Sequence, residues 1–212
     1  MTIITATGTE TLVNTTTAND QSQIQTSALA NGQYVVVWTD NLLPGAVNST
    51  TAANADIRAR IFNQDGTPAG AEFMVNGLAT GRQAFASVTT LSDGNFLVAW
   101  MEELGPFLGG AGSPNGQIKA REFTAAGTPV GGEFLIGSAA ASNILPSVTA
   151  VAGGGFAIAY NTGGIGGSAV MQVFDSANAQ VGGTTTLNSF ANGLPYAGLK
   201  TLTDGNIVAV LN

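Results

Sequence analysis

Aromatic rings and carboxylates recur at matching positions along this sequence, and sugar recognition is the chemistry that they could do. The residues concerned are Trp38, Asp40, Trp100, Glu102, Glu103 and Tyr160. An aromatic face can stack on a sugar ring while a carboxylate two positions later accepts hydrogen bonds from sugar hydroxyls. The pattern therefore predicts a glycan-binding site, made multivalent by repetition. The competing interpretation is that each ring packs in the core between repeats.

Hydrolysis of a glycosidic bond is the catalytic alternative, because it requires a carboxylic acid and a second carboxylate. Asp40, Glu102 and Glu103 are the only clustered candidates, and no motif of fixed spacing supports them. The chain has no histidine and no cysteine, which leaves no imidazole base, thiolate nucleophile or His/Cys metal site. We therefore expect a binding or structural module that is not an enzyme.

No cofactor is expected from the sequence. An Asp-x-Asp-x-Asp-Gly calcium loop does not occur, so structural calcium stays an open alternative that no ligand motif supports.

Charge and hydropathy exclude several classes of partner. The chain has 212 residues and a net charge of -7, which would repel phosphate backbones and anionic membrane surfaces. We expect no nucleic-acid partner and no membrane insertion, because no run of about 18 apolar residues occurs. The N-terminus lacks the basic and apolar regions of a Sec signal peptide.

A repeated segment organises the chain. The segment occurs at 32–40, 94–102, 154–162 and 205–212. In each copy a glycine comes before an apolar strand pattern that ends in an aromatic or aliphatic residue. Turn sequences such as Asn31-Gly32 precede these segments and predict β-hairpins, because both residues tolerate positive φ. Each repeat predicts four short strands, and the last repeat contains only the first two.

The N-terminus supplies the strands that the last repeat lacks. Glu10 and Val13 lie 62 residues before Glu72 and Val75, so residues 1–14 match the end of a repeat. The sequence predicts an all-β, four-bladed β-propeller closed by pairing N-terminal with C-terminal strands. Its blades are expected at about 15–76, 77–137, 138–188 and 189–212, the last completed by 1–14, in a single domain of residues 1–212. A β-sandwich and an eight-bladed ring of two chains are the alternatives.

Most charged residues follow the repeat and are expected to be structural. Glu10, Glu72 and Glu133 are repeat-equivalent, as are Arg58 with Lys119 and Arg60 with Arg121, and such charges predict cross-strand or inter-blade pairs. Asp65, Asp93 and Asp204 precede glycines in turns, where a carboxylate accepts hydrogen bonds from its own backbone.

The repeats resemble those found in tandem in large secreted bacterial proteins of the RTX and adhesin type, which type I systems export. The segment GTPxGxEF at 66–73 and 127–134 is the most specific part. The resemblance implies an extracellular or cell-surface propeller module, adhesin-like, that contacts a glycan, a cell-surface ligand or another copy of itself. The Gly-Gly-x-Gly-x-Asp nonapeptides that build the RTX calcium roll are absent.

Two long loops are expected to share a rim with the aromatic residues. They span 41–55 and 103–117, and the second contains the apolar residues Leu104, Phe107 and Leu108. Exposed apolar residues of this kind predict self-association. A homo-oligomer, or a self-assembling structural unit, is therefore a further expectation.

Overall fold

The computed structural model describes residues 10–18, 20–41, 55–78, 81–103, 116–137, 143–163, 166–189 and 197–211. These residues form strands, turns and irregular segments, and none of them is in a helix. The strands are β1 (Asp20–Ala28), β2 (Tyr34–Asn41), β3 (Ala55–Phe62), β4 (Phe73–Met74), β5 (Gln83–Thr90), β6 (Phe96–Glu103), β7 (Gly116–Phe123), β8 (Pro129–Ile136), β9 (Ile144–Ala150), β10 (Phe156–Thr162), β11 (Ser168–Phe174), β12 (Gln180–Ser189), β13 (Ala197–Thr201) and β14 (Ile207–Leu211).

The strands form four antiparallel sheets in chain order, which confirms the all-β class and the repeated units. Sheet 1 contains β1–β4, sheet 2 contains β5–β8 and sheet 3 contains β9–β12, each with four strands, whereas sheet 4 contains only β13 and β14. Neighbouring strands in the sequence are neighbours in each sheet, as short hairpin connections require.

The predicted turns are present between the first two strands of each sheet. In the first, Gly32 has a φ of +84° and donates its backbone N–H to the carbonyl of Leu29 at 3.1 Å. In the second, the carboxylate of Asp93 accepts a hydrogen bond from the Asn95 N–H at 2.9 Å, and Asp204 accepts one from Asn206 at the same distance in sheet 4. The expected role of these aspartates in turns is confirmed.

The first strands of successive sheets are joined by hydroxyl side chains. Ser87 Oγ of β5 accepts the Val148 N–H of β9 at 3.0 Å, and Ser147 Oγ of β9 accepts the Leu199 N–H of β13 at 2.9 Å. The same contact therefore recurs one repeat later. It fixes the first strands side by side without a shared ladder of backbone hydrogen bonds.

Apolar side chains from adjacent sheets form the core. Val35, Val37, Val98 and Trp100 belong to a buried cluster that spans sheets 1 and 2. A second cluster spans sheets 2 and 3 and includes Met101 and Tyr160 among its buried residues. Because side chains alternate along a strand, β6 uses one face for each cluster.

A bulge recurs in the first strands of sheets 1 and 2, and its residues are not glycines. The pairing with the next strand shifts between Ser22 and Gln25 and between Ala84 and Ser87. Within these bulges, Gln23 and Phe85 both have a φ of +57°. A left-handed residue at a bulge bends the strand, so the bend is part of the repeat.

Several sequence expectations lie outside the described residues. These are residues 1–9 of the two strands expected at 1–14, most of both long loops, and the apolar residues Leu104, Phe107 and Leu108. Residues 10–14 are described and form no strand, so the second of those two strands was predicted wrongly. A closed ring is not among the features of the described residues. The part of the chain that the structure describes also contains no helix long and apolar enough to cross a membrane.

Candidate functional site

The residues singled out in the sequence lie near one end of the sheets. Here β2, β6 and β10 end and β3, β7 and β11 begin, and we call this end the loop rim. The aromatic rings near it are buried: Trp38, Trp100 and Tyr160 expose 2%, 0% and 4% of their surface. Trp100 and Tyr160 belong to the clusters between sheets, so core packing is the role that their geometry supports.

Asp40 belongs to an ion cluster on sheet 1. Its Oδ2 lies 2.7 Å from Arg58 Nε, and Arg58 Nη1 lies 3.4 Å from Glu72 Oε1. Glu72 Oε2 also accepts the backbone N–H of Thr15 at 2.8 Å. Burial opposes ionisation of Glu72, but the hydrogen bonds from Thr15 and the charge of Arg58 outweigh it and lower the pKa of the carboxyl.

Glu102 belongs to the equivalent cluster on sheet 2. Lys119 Nζ lies 3.0 Å from Glu102 Oε2 and 3.1 Å from Glu133 Oε2, and Gln117 donates a further hydrogen bond to Glu102. Burial disfavours the charged lysine, but the hydrogen bonds to Glu102 and Glu133 outweigh it and raise the pKa of Lys119. The expected pairing is confirmed for Arg58 with Glu72 and for Lys119 with Glu133, and the same two cations bind Asp40 and Glu102. Arg60 and Arg121 donate instead to backbone carbonyls.

Glu103 has a different environment from its neighbour. Consecutive residues of a strand point to opposite faces, so Glu103 lies on the face that carries Met101 and packs towards sheet 3. Its side chain is 5% exposed, and the nearest cation is Arg82, with Nη1 3.8 Å from Oε2. Its other oxygen, Oε1, is buried and has no hydrogen-bond partner.

These surroundings favour the protonated form of Glu103. Burial raises the pKa of its carboxyl above the ordinary value, and the charge of Arg82 only partly opposes the shift. A buried carboxyl of raised pKa keeps its proton to a higher pH than an exposed carboxyl, which suits it to act as a proton donor. Six residues were singled out in the sequence, and three of them carry a carboxyl group. Of these three, Glu103 is the one whose carboxyl is buried and has a raised pKa.

Asp56 is a buried carboxylate at the same rim that sequence reasoning missed. It is 5% exposed and accepts a hydrogen bond from Asn76 Nδ2 at 2.8 Å, and the same nitrogen lies 3.5 Å from Gln83 Oε1. Ala55, the preceding residue, forms a parallel bridge with Arg82. Through Asn76, Asp56 of sheet 1 is therefore linked to Gln83 at the start of β5 in sheet 2.

One signal in the sequence could have identified Asp56. Asp56 is the second residue of β3, and the second residue of β7 in the next repeat is Gln117, so the charge of Asp56 is not part of the repeat. Residues that depart from a repeat are candidates for function, because the repeat itself already satisfies the fold.

No metal site is evident in the described ranges, where no group of three or more His, Cys, Asp or Glu side chains could hold an ion. The network at the rim consists of carboxylates already bound by a guanidinium or a carboxamide. Its chemistry is proton transfer and hydrogen bonding.

Comparison with known proteins gives matches in structure only. No protein-family model and no curated protein matches the sequence. An α-L-arabinofuranosidase from Lactobacillus brevis has a TM-score of 0.55 and 11% identity, covering 90% of this chain and 64% of that protein. An endo-arabinase from Bacteroides thetaiotaomicron has a TM-score of 0.48 and 15% identity, covering 85% of this chain and 66% of that protein. A protein of unknown function from Bacteroides caccae has a TM-score of 0.45 and 12% identity, covering 87% of this chain and 51% of that protein.

The likeness is one of fold, and this chain spans less than two thirds of the arabinofuranosidase. It nevertheless corrects one expectation. The sequence, with no histidine, cysteine or spaced motif, predicted a module that is not an enzyme, whereas an enzyme is among the structures that share this fold. Carboxylates brought together by the fold need no motif in the sequence, and for that reason the absence of a motif was a poor guide.

Proposed function

We propose that the chain hydrolyses glycosidic bonds of neutral, arabinose-containing carbohydrates, with Glu103 as the proton donor. The observation that carries the proposal is the buried Oε1 of Glu103, which has no hydrogen-bond partner, on a carboxyl whose pKa is raised by burial. An arabinofuranosidase of similar fold supports the choice of substrate.

The reaction requires two carboxyl groups, and each has one role. Glu103 gives its proton to the glycosidic oxygen as the bond from that oxygen to the anomeric carbon breaks, and water supplies the hydroxyl that the anomeric carbon gains. Asp56, which accepts a hydrogen bond from the Asn76 carboxamide, is our candidate for the second carboxylate. It either takes the proton from the attacking water or bonds to the anomeric carbon first.

The direct test is to incubate the full chain with 4-nitrophenyl α-L-arabinofuranoside and with arabinan oligosaccharides. We expect arabinose to be released, with proton NMR of the first product showing whether the anomeric configuration is inverted or retained. The corresponding β-D-glucoside and β-D-galactoside serve as comparison substrates. Absence of hydrolysis from every arabinoside, by a chain whose melting is cooperative, would contradict the proposal.

We also infer that the four sheets close into one ring through the N-terminal segment. Arg60 Nη1 donates to the carbonyl of Val13 at 3.1 Å, as Arg121 Nη1 donates to the carbonyl of Val75 at 3.3 Å. Residues 10–15 therefore lie against sheet 1 as residues 72–77 lie against sheet 2. They occupy the position that the fourth strand of a sheet before sheet 1 would have. Sheet 4 has only two strands, so in a closed ring it would be the sheet that these residues complete.

The exposed face of sheet 4 supports the same inference. Val208 and Val210 are 41% and 68% exposed, whereas the repeat-equivalent Val35 and Val37 are fully buried between sheets 1 and 2. Closure against sheet 1 would cover Val208 and Val210 in the way that sheet 2 covers their equivalents.

Val210→Asp tests closure. In a closed ring the new carboxylate is buried without a partner, and we expect the free energy of unfolding to fall by about 3 kcal/mol. Val181→Asp is the matched control, because Val181 is 53% exposed at the start of the outermost strand of sheet 3 and closure leaves it exposed. Equal chemical-denaturation midpoints for the two variants would exclude the closed ring.

A further inference from the structure

A polar pocket lies between sheets 2 and 3, near the loop rim. It has a volume of about 400 Å³ and is lined by Gly137, Asn143, Tyr160, Thr162, Val170, Gln172, Gln180 and Thr184. None of these side chains carries a charge, and six of them can form hydrogen bonds. The pocket is therefore suited to a neutral ligand rich in hydroxyl groups.

The repeat explains why the pocket exists on sheet 3. The ion clusters of sheets 1 and 2 occupy the same positions of the repeat. Thr162 stands where Asp40 and Glu102 stand, Val170 where Arg58 and Lys119 stand, and Thr184 where Glu72 and Glu133 stand. Sheet 3 has replaced two carboxylates and a cation with two hydroxyls and a short aliphatic side chain. The exchange removes both the charge and the bulk that close this space in the other sheets.

Gln172 provides a hydrogen-bond acceptor in the pocket. Its side chain is 5% exposed, and its Nε2 donates to Thr184 Oγ1 at 2.9 Å and to Gln180 Oε1 at 3.2 Å. These two contacts fix the orientation of the carboxamide. Its Oε1 is buried and has no hydrogen-bond partner, and a buried acceptor without a partner is unfavourable unless a ligand or water supplies a donor.

The backbone at Gly137 allows the Tyr160 hydroxyl to reach this pocket. A Cβ atom at position 137 would overlap the hydroxyl oxygen of Tyr160 and lie 3.0 Å from its Cζ, and φ is +73° there. Burial raises the pKa of Tyr160 above its ordinary value. The phenol therefore remains protonated at neutral pH and can donate a hydrogen bond.

The pocket and Glu103 lie between the same two sheets. Asn143, which lines the pocket, donates its backbone N–H to the carbonyl of Gly116 at 2.7 Å, and Gly116 is the strand partner of Glu103. A carbohydrate chain bound at the rim could thus place one unit in the pocket and another near Glu103.

We propose that this pocket binds one neutral monosaccharide unit, with a sugar hydroxyl donating to Gln172 Oε1. The choice of a sugar rests on the proposed function. The existence of the site rests on the unpartnered oxygen, the uncharged lining and the departure of sheet 3 from the repeat. Pockets for small ligands begin at about 300 Å³, so the volume suits one pentose or hexose.

Calorimetric titration of the full chain with L-arabinose, D-xylose and D-glucuronate tests the site. We expect both neutral pentoses to bind and D-glucuronate not to bind, because no cation lines the pocket. Gln172→Met should weaken pentose binding at least about tenfold, since it removes the acceptor while keeping the volume of the side chain. Absence of pentose binding to the unaltered chain would overturn the proposal.

A second variant covers the case in which Gln172→Met fails to fold. Thr184→Glu, at an exposed position, restores the residue of the other sheets and should abolish pentose binding by extending a carboxylate into the pocket. Thr185→Glu makes the same change on the opposite face of β12 and should leave binding intact. Equal affinities for these two variants would show that the sugar binds elsewhere.

The same titration separates this proposal from that of hydrolysis. Pentose binding that depends on Gln172, in a chain that cleaves no arabinoside, would support the pocket and overturn the proposed activity.

Discussion

Glu103→Gln is expected to lower kcat/KM for an arabinofuranoside by about 10² to 10⁴-fold, the usual contribution of a general acid. Glutamine keeps the shape of the side chain but cannot protonate the leaving oxygen. The rate of the unaltered enzyme should fall as the pH rises through the pKa of Glu103, because deprotonation removes the acid. That pKa is raised by burial, so the loss should occur above the ordinary pKa of a glutamate, and the variant should lack this part of the profile.

Glu102→Gln is the matched control for this prediction. The residue is adjacent in sequence, but its carboxylate lies on the opposite face and is paired with Lys119 at 3.0 Å. We expect its kcat/KM to remain within about threefold once folding is verified by thermal melting. An equal loss of activity in both variants would indicate damage to β6 and would remove Glu103 from its role.

Gly155→Ala is expected to reduce the free energy of unfolding by about 3 kcal/mol, at the upper end of the cost of overpacking. A Cβ atom at this position would overlap the backbone carbonyl oxygen of Phe174 and lie 2.9 Å from the Cα of Asp175. Both obstacles are backbone atoms of a neighbouring strand, which cannot rotate away as a side chain could. For a chain of this length the melting temperature should fall by about 6 to 12 °C.

Gly183→Ala provides the comparison for Gly155→Ala, because a Cβ atom at position 183 would meet nothing within 4 Å. Its melting temperature should stay within about 2 °C of the unaltered chain. Position 155 is also informative within the repeat, since its equivalents are Gln33, Asn95 and Asn206. If Gly155→Asn were as stable as the unaltered chain, the close approach of β10 and β11 at this turn would be wrong.

The repeat was sufficient to predict most of the strands, the turns and two of the charge pairs. Glycine at position 32 and aspartate at position 93 act through their own backbone geometry, which depends on a few neighbouring residues. The pairs of Arg58 with Glu72 and of Lys119 with Glu133 followed from their equal spacing in successive repeats. Local and periodic features of this kind can be inferred without knowing how the sheets pack.

Features that depend on packing between sheets could not be predicted. Gln23 and Phe85 adopt left-handed backbone conformations that their residue types do not favour, so no local signal marks the bulges. Glu102 and Glu103 look alike in the sequence. Their environments differ because the strand directs them to opposite sides, Glu102 towards Lys119 and Glu103 towards Arg82.

The unpartnered oxygen of Gln172 and the hydrogen bonds around Asp56 likewise could not be predicted from the sequence. In each case the residue differs in type from its equivalents in the other repeats. The effect of that difference depends on which side chains it meets in the folded protein. Gln172 replaces Arg60 and Arg121 of the other repeats. Only the three-dimensional arrangement shows that this exchange leaves a carboxamide oxygen without a partner.

The dependence of the rate on the leaving group is the measurement that tests proton donation by Glu103 most directly. For Glu103→Gln, an arabinofuranoside with a 2,4-dinitrophenyl group, which departs without a proton, should react nearly as fast as with the unaltered enzyme. An alkyl arabinofuranoside, whose leaving oxygen needs a proton, should show the full loss of about 10² to 10⁴-fold. An equal loss for both substrates would contradict the account, because it would mean that Glu103 holds the site together and does not supply the proton.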